Sequence, residues 1–481
     1  MHGFGLYIHE TRDVLQIRGR QMTDTSSIEH AQTDRAYEID SGFINAVLSA
    51  VEDGARDDLI ALFEPLHAAD IADVLEQVSP AEREAVVALW GDEVDGEVFA
   101  EMDEDISVEL MENLSDDIIG EAMRDLDTDD VVDLIEDMDE PQKERVLETL
   151  EEADRAAVQQ SLSYPEESAG RLMQRELVMA PTHWLVGDAI DEMRKSDDLP
   201  ERFYDVVIVD PRLKPVGKVP LSSLMSHPRD TPLTEIMDEE FRTIPVSQSQ
   251  EDVAYAFNQY NMVSAPVVDA QDRLVGVITM DDAMEVLEEE AEEDIMLLAG
   301  VGDETLHDST WNTTKLRFPW LAVNLVTSIL ASLVIAQFSS TIEAIVALAI
   351  LMPIVASMGG NAGTQTLTVA VRALATKDLT PSNAWRVIRR EMFVGLLNGC
   401  IFAVIIGIVG VAWFGTPMLG VVLGLAMVVN LLVAGLAGIM VPIVLDKMGV
   451  DPALASSAFV TTVTDVVGFF VFLGLAGALL L

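Results

Sequence analysis

The sequence predicts a multi-domain chain: an all-α superhelical N-terminal domain, a tandem α/β region, and an α-helical transmembrane bundle of five spans. Three observations predict it. An apolar pair recurs every twelve residues, a β-α-β-β-α order is written twice, and five apolar stretches are each long enough to cross a bilayer. Charge divides the chain in the same way. It has 82 acidic and 29 basic residues for a net charge of −53, yet only six of each lie beyond Arg317. The acidity therefore belongs to the first two thirds.

Such a charge repels nucleic acid and attracts cations, which argues against a DNA or RNA partner. Lysine is scarce, and acid-rich, lysine-poor surfaces also resemble those of salt-adapted proteins, so acidity alone marks no metal site. The single cysteine, Cys400, excludes an internal disulfide and a cysteine metal site. All seven histidines precede Trp311, which removes a histidine-bound metal, and with it a metalloprotease, from the membrane part.

Residues 1–40 show no clear period and no continuous apolar core of the signal type, so they are expected to be disordered and cytoplasmic. The repeat then begins: Phe63/Leu66, Leu75/Val78, Val87/Trp90, Phe99/Met102, Met111/Leu114, Met123/Leu126, Ile135/Met138, Leu147/Leu150. A short helix plus a tight turn fits that interval, and each unit buries one apolar edge on its neighbours. A helical solenoid over 41–165 follows. Pro65, Pro80, Gly91 and Pro141 argue against one long helix.

From residue 170, β-branched runs alternate with helical stretches. The second copy is the clearer, with IPV at 244–246, a helix over 252–260, APVVD at 265–269, LVGVIT at 274–279 and a helix from Asp281. The first copy repeats the order through VMAPT, YDVVIVD at 204–210, PVGKV and PLSSLM. This order resembles a tandem CBS-domain pair, with units at 170–228 and 229–282, which implies clefts for adenosine nucleotide or metal. The nucleotide signature of that family, G-x-x-T-x-x-D, stands as Gly276, Thr279 and Asp282, while the first unit has Gly217, Pro220 and Ser223 and so lacks both polar anchors. The competing reading is that Thr279 and Asp282 cap the following helix.

Apolar stretches at 318–338, 343–371, 391–414, 418–445 and 452–481 each reach the roughly 20 residues that span a bilayer. With the N-terminal part cytoplasmic, Lys315, Arg317, Arg372, Lys377, Arg386, Arg389, Arg390 and Lys447 all flank the cytoplasmic side, and the outer loops carry no Lys or Arg. That bias places the C-terminus outside.

Asp465 is the one carboxylate deep inside a stretch, where burial costs about 2.5–3.5 kcal/mol. Ser457, Thr461 and Asp465 stand four apart, with Thr464 and Gly468 beside them, as a polar stripe. The stripe reads either as a cation path or as a hydrogen-bonded helix seam, and a seam does not suit an aspartate without a basic partner. In the second stretch, glycines at 359–363 can expose backbone carbonyls, and Asn361 and Gln365 present amide oxygens on one face. Hard cations take oxygen ligands, and Mg²⁺ keeps several of its waters. One aspartate per chain is thin for a divalent ion, whereas a parallel homodimer with a pore on its two-fold axis brings two Asp465 together.

P-x-x-x-x-x-G-G-N-A-G-x-Q at 353–365 and DPALASSAFVTTVTDVVGFF at 451–470 resemble the MgtE family of magnesium channels and transporters, over nearly the whole chain. The resemblance implies passive Mg²⁺ influx across the plasma membrane, with Asp465 binding the hydrated ion, Asn361 near it, and no covalent chemistry. It also implies that the acidic connecting helix, 283–317, is a plug. Cytosolic Mg²⁺ would pin it closed through Asp281, Asp282, Glu285, Glu290, Glu293 and Asp294. Crowded like charges give the same logic, since divalent ions draw them together. A solvated acidic face is the competing reading for each. Asn261 stands where the family's second CBS unit often has an acidic residue. Two further functions stay open: a broader carrier of Co²⁺, Mn²⁺ or Ni²⁺, disfavoured by the lack of Cys and His near the path, and a non-transporting CBS-based receptor.

Overall fold

The structure, a computed structural model, describes residues 39–481 apart from 125, 137, 197–198, 201, 303, 305–309 and 455–456. The disorder expected for residues 1–40 falls almost wholly outside the described residues. The chain divides into two compact units, Met1–Leu126 with Asp133–Arg155, and Asp127–Val132 with Ala156–Leu481.

The first unit is built from short helices such as Ala68–Glu76, Pro80–Trp90, Glu104–Asn113, Asp116–Ala122 and Glu140–Thr149. Leu75 and Met111 lie in the last turn of a helix, and their partners Val78 and Leu114 lie just past it, all four buried. These two pairs thus straddle a chain reversal and turn both members inward. The next helix starts on a cap: Glu82 accepts from the Ser79 N–H at 2.9 Å, and Gln142 accepts from the Asp139 N–H at 2.9 Å. Pro80 and Pro141 sit in those first turns, where a missing N–H costs nothing. Arginines close the other ends, where helix carbonyls lack partners. Arg83 donates to the Leu75 and Val78 carbonyls at 2.8 and 3.4 Å, and Arg145 reaches the Met111, Glu112 and Leu114 carbonyls.

In the second unit two three-stranded sheets repeat one topology. Strand β1 (Met179–Pro181) runs parallel to β2 (Asp205–Val209), which pairs antiparallel with β3 (Pro215–Pro220). Strands β4 (Ile244–Pro245), β5 (Ser264–Val268) and β6 (Leu274–Thr279) do the same. Asp205 ties the copies together, accepting from Lys218 Nζ and from Ser264 Oγ, each at 2.7 Å. Asn261 ends the helix Gln250–Tyr260 at φ 49°, a left-handed position that asparagine tolerates.

Helix Met280–Ala299 starts on a Thr279/Asp282 capping box and stops at Gly300, φ 73°. It contains no Gly or Pro, so the boundary drawn at 282/283 falls inside one continuous helix. The closing helix of the second CBS-like copy and the first part of the acidic connector are one 20-residue rod, whereas residues 310–317, expected in that connector, belong to the helix Thr310–Ala336.

Five helices are long and apolar enough to cross a membrane: span 1 (Thr310–Ala336), span 2 (Ala347–Ala375), span 3 (Ala384–Phe414), span 4 (Pro417–Met448) and span 5 (Ser457–Leu479). Span 1 begins before the apolar run because its polar WNTTKLR segment is already helical, whereas the start of the second run forms a separate short helix, Ser339–Ala344. Span 4 packs against spans 2, 3 and 5. Leu348, Leu351, Val355, Val422, Leu423, Ala426 and Phe472 form a core cluster between spans 2, 4 and 5.

One expectation is corrected here. Span 2 stays helical through 359–363, so its carbonyls remain inside the helix rather than being exposed by an unwound segment. The glycines serve close approach instead. A methyl on Gly360 would stand 3.0 Å from Thr461 Cγ2, and one on Gly438 would stand 2.6 Å from the Gly363 carbonyl oxygen.

Candidate functional site

Where spans 2 and 5 cross, a groove of about 640 Å³ is lined by Ala356, Ser357, Gly360, Asn361, Thr364 and Gln365 on one side. Ser457, Thr461 and Asp465 line the other. The four-residue spacing keeps each set on one helix face. Asn361 and Gln365 are exposed and Asp465 is half-buried, with no ion-pair partner among the described residues. Amide, hydroxyl and carboxylate oxygens thus face a common space, the donor set a hard, hydrated cation accepts. Thr461 donates its hydroxyl to the Ala458 carbonyl at 3.1 Å, which leaves its oxygen free to accept from an ion's water. Thr464 and Gly468 depart from the expected stripe: both are buried outside the groove lining, Thr464 beside Gly359 and Gly363 of span 2 and Gly468 against Asn430 of span 4.

The acidic candidates sort by burial along helix Met280–Ala299. Asp281, Glu285 and Glu293 are exposed, whereas Asp282, Glu290 and Asp294 are half-buried. Glu290 is pushed up to about 7, first by burial and then by Glu251 and Glu293, with a Gln250 hydrogen bond opposing. Asp294 is pushed up to about 6 by burial, then by Asp451 and Glu251. Burial also raises Glu251, against the pull of Lys377, which pairs with Asp252 and lies 4.6 Å from the Tyr255 ring centroid. At the other end of the helix, Asp282 is raised by burial, and Asp129 is raised well above the ordinary range by burial, Asp282, Asp130, Asp127 and Glu176. Among the described residues no three Asp, Glu, His or Cys converge tightly enough to hold an ion alone. An ion that keeps its waters bridges such wider gaps through them.

Comparison with known proteins decides the family. A family described as "Divalent cation transporter" matches residues 352–475, the MgtE intracellular N domain matches 66–167, and a CBS domain matches 233–289. The magnesium transporter MgtE of Enterococcus faecalis is 35% identical over 315 residues, 66% of this chain and 70% of that one. The magnesium transporter MgtE of Thermus thermophilus is 36% identical over 321 residues, 66% and 71%. The chain belongs to the MgtE family. It is a multi-pass membrane protein with a cytosolic N-terminal domain. A solved cytosolic domain of the Mg²⁺ channel MgtE in complex with ATP aligns at a TM-score of 0.48 and 26% identity, covering 50% of this chain and 99% of that one.

In this MgtE chain the nucleotide-signature residues are engaged locally. The Thr279 N–H and hydroxyl both donate to Asp282 Oδ2 at 2.9 Å, and the hydroxyl also contacts Asp281. A methyl on Gly276 would lie 2.7 Å from the Gln174 carbonyl oxygen, so this glycine serves the close bridge between Gln174 and Val277. Several residues escape the sequence reading. Asp129 faces both Asp282 and Glu176, Glu251 faces Glu290 and Asp294, and Asp451 faces Asp294, each from another element. Asp451 lay inside a motif already singled out, where it caps the Pro452–Leu454 turn by accepting from the Ala453 N–H at 2.8 Å. Asn430 left no signal beyond being an amide in a 32-residue apolar helix.

Proposed function

We propose that this protein conducts Mg²⁺ passively into the cytoplasm across the plasma membrane, with its C-terminus outside. Asp465 is the ion-binding carboxylate, Asn361 its amide neighbour, and Ser457 and Thr461 line the path. The observation that carries the reading is the groove, in which one carboxylate, without a counter-charge among the described residues, is faced by amides and hydroxyls at membrane depth. MgtE relatives named as magnesium transporters support the choice of ion. The groove supplies a single carboxylate per chain, which supports a homodimer that brings two Asp465 together along the path.

Cytosolic Mg²⁺ closes this path. Asp282, Glu290 and Asp294, with Glu251, Asp451 and Asp129, repel one another when packed, and hydrated Mg²⁺ between them lowers that cost. Exposed Asp281, Glu285 and Glu293 add to the local field. Adenosine nucleotide at Gly276, Thr279 and Asp282 is a lesser extension, since binding there has to compete with the helix cap. Mg²⁺ entry into proteoliposomes, measured for wild type and Asp465→Asn at low and high Mg²⁺ on the cytoplasmic face, tests the whole. Flux that needs Asp465 and stops at high cytoplasmic Mg²⁺ supports path and sensor together. No flux from folded wild type at either level removes the channel and favours a CBS-based receptor. Equal flux of Co²⁺, Mn²⁺ and Mg²⁺ makes it a broad divalent carrier.

A further inference from the structure

We propose that Asn430 of span 4 is a positioning residue for the cation groove, locking spans 2 and 5 in the register that sets Asn361 opposite Asp465; this rests on the pore reading above. Asn430 is fully buried. Its Nδ2 donates to the Val355 carbonyl oxygen of span 2 at 2.8 Å, while its Oδ1 is buried without a donor. The amide is gripped from two sides. A methyl on Gly359 would overlap the amide group and lie 3.1 Å from Thr464 Cβ. A methyl on Gly468 would stand 2.9 Å from Nδ2 and 3.1 Å from Oδ1.

The residues that hold this amide are the chain neighbours of the residues that line the groove. Val355 and Gly359 precede Ala356 and Gly360 on span 2, and Gly468 lies three residues past Asp465 on span 5. Thr464 is fully buried and donates to the Thr461 carbonyl at 2.9 Å, so its own hydroxyl is committed along span 5. Both helices therefore turn one face to the groove and the adjacent face to Asn430.

Packing alone does not call for an asparagine here. Leucine has the same branched skeleton, though bulkier, and would leave no acceptor stranded, and a stranded acceptor costs stability. What leucine cannot supply is register. Gly359, Gly360, Gly363, Gly438 and Gly468 make the crossing faces smooth, and smooth glycine faces slide or rotate at little cost. A single directional bond to the Val355 carbonyl selects one arrangement among these, the use for which a costly buried polar group is best attested.

The test uses the full chain in proteoliposomes, with Asn430→Leu, Gly359→Ala, which must displace the amide, Asp465→Asn, and Asn398→Leu on the exposed face of span 3 as control. Thermal stability in detergent is read beside the Mg²⁺ dependence of influx and its competition by Ca²⁺. Asn430→Leu and Gly359→Ala are expected to raise the half-saturating Mg²⁺ and to weaken discrimination against Ca²⁺, each by roughly fivefold, with Asn430→Leu as stable as wild type. Asn398→Leu should match wild type in both. Folded Asn430→Leu with unchanged half-saturation and discrimination would overturn the proposal, and so would failure of both variants to fold, which makes the contact purely structural. Wild-type flux from Asp465→Asn would remove the pore reading itself, a result distinct from either.

Discussion

Asp465 stands alone in span 5, half-buried, with amide and hydroxyl oxygens around it and no basic partner among the described residues. Asp282, Glu290 and Asp294 instead crowd against other carboxylates on the cytosolic side, where burial and mutual repulsion raise their affinity for protons. In the proposed function the two regions use the same functional group in opposite ways. A lone carboxylate in a wet groove attracts an ion weakly enough to release it. A crowd stores repulsion that a bound divalent ion relieves, so its occupancy is converted into packing. The largest effect should come from breaking the first of these. Asp465→Asn keeps shape and removes charge, and Mg²⁺ influx in proteoliposomes should fall by about a hundredfold or more. Its closure by cytoplasmic Mg²⁺, read as protection from a protease that cuts the cytosolic part, should persist.

The converse variant is Glu290→Gln with Asp294→Asn. Removing both charges takes away repulsion and ligands together, so the packed arrangement should form without Mg²⁺. Influx at zero cytoplasmic Mg²⁺ should drop by roughly tenfold, and the remaining Mg²⁺ dependence should flatten, because each like-charge contact at a half-buried site is worth on the order of 1 kcal/mol. A wild-type response would reduce these residues to a solvated face.

How much of this was legible depends on distance along the chain. The twelve-residue spacing of Leu75/Val78 or Met111/Leu114 is local, and so is the four-residue stripe of Ser457, Thr461 and Asp465. Both can be read from helical geometry alone. Thr464 and Gly468 read from the sequence as part of that stripe, because sequence cannot tell which flank of a helix meets a neighbour, and the neighbour of Gly468, Asn430, is 38 residues away in another span. The glycines at 359–363 were legible as special but not as a continuous helix, since an unwound segment and a close crossing ask for the same residue type. The partners Glu251 and Asp451 could not be chosen from among 82 acidic residues without the fold that brings them to Glu290 and Asp294.

Acidity gives a gentler handle on the crowd. Glu290 rises from 4.5 to about 7 and Asp294 from 3.8 to about 6 in the packed arrangement. Packed carboxyls therefore bind more protons than separated ones between the two values. Packing is weakened as pH rises through this window, and the loss is complete above about 7. With no Mg²⁺ present, lowering cytoplasmic pH from about 7.5 to about 5.5 should reduce influx a few-fold and protect the cytosolic part from protease. Glu290→Gln with Asp294→Asn should erase that pH response. The groups facing them, Glu251, Glu293, Glu167 and Asp451, should then govern what remains.

The smallest effect tests Lys377, a cation beside the crowd. Lys377 pairs with Asp252 and opposes the charge of Glu251, but its side chain is 36% exposed and that of Asp252 48% exposed, so solvent screens the pair. Such a contact contributes about 0–1 kcal/mol. Lys377→Met takes away the charge that opposes Glu251 and leaves Asp252 and Asp451 beside it, which raises the cost of packing, so half-closure should need more cytoplasmic Mg²⁺, by about two- to threefold. Because the pair is screened, about 0.5 M salt should bring wild type toward the variant. Arginine at 377 keeps both the charge and the contact with the Tyr255 ring and should restore the wild-type midpoint. A Lys377→Met midpoint that stays at the wild-type value in low salt would mean that Asp294 and Glu290 set the closing threshold without it.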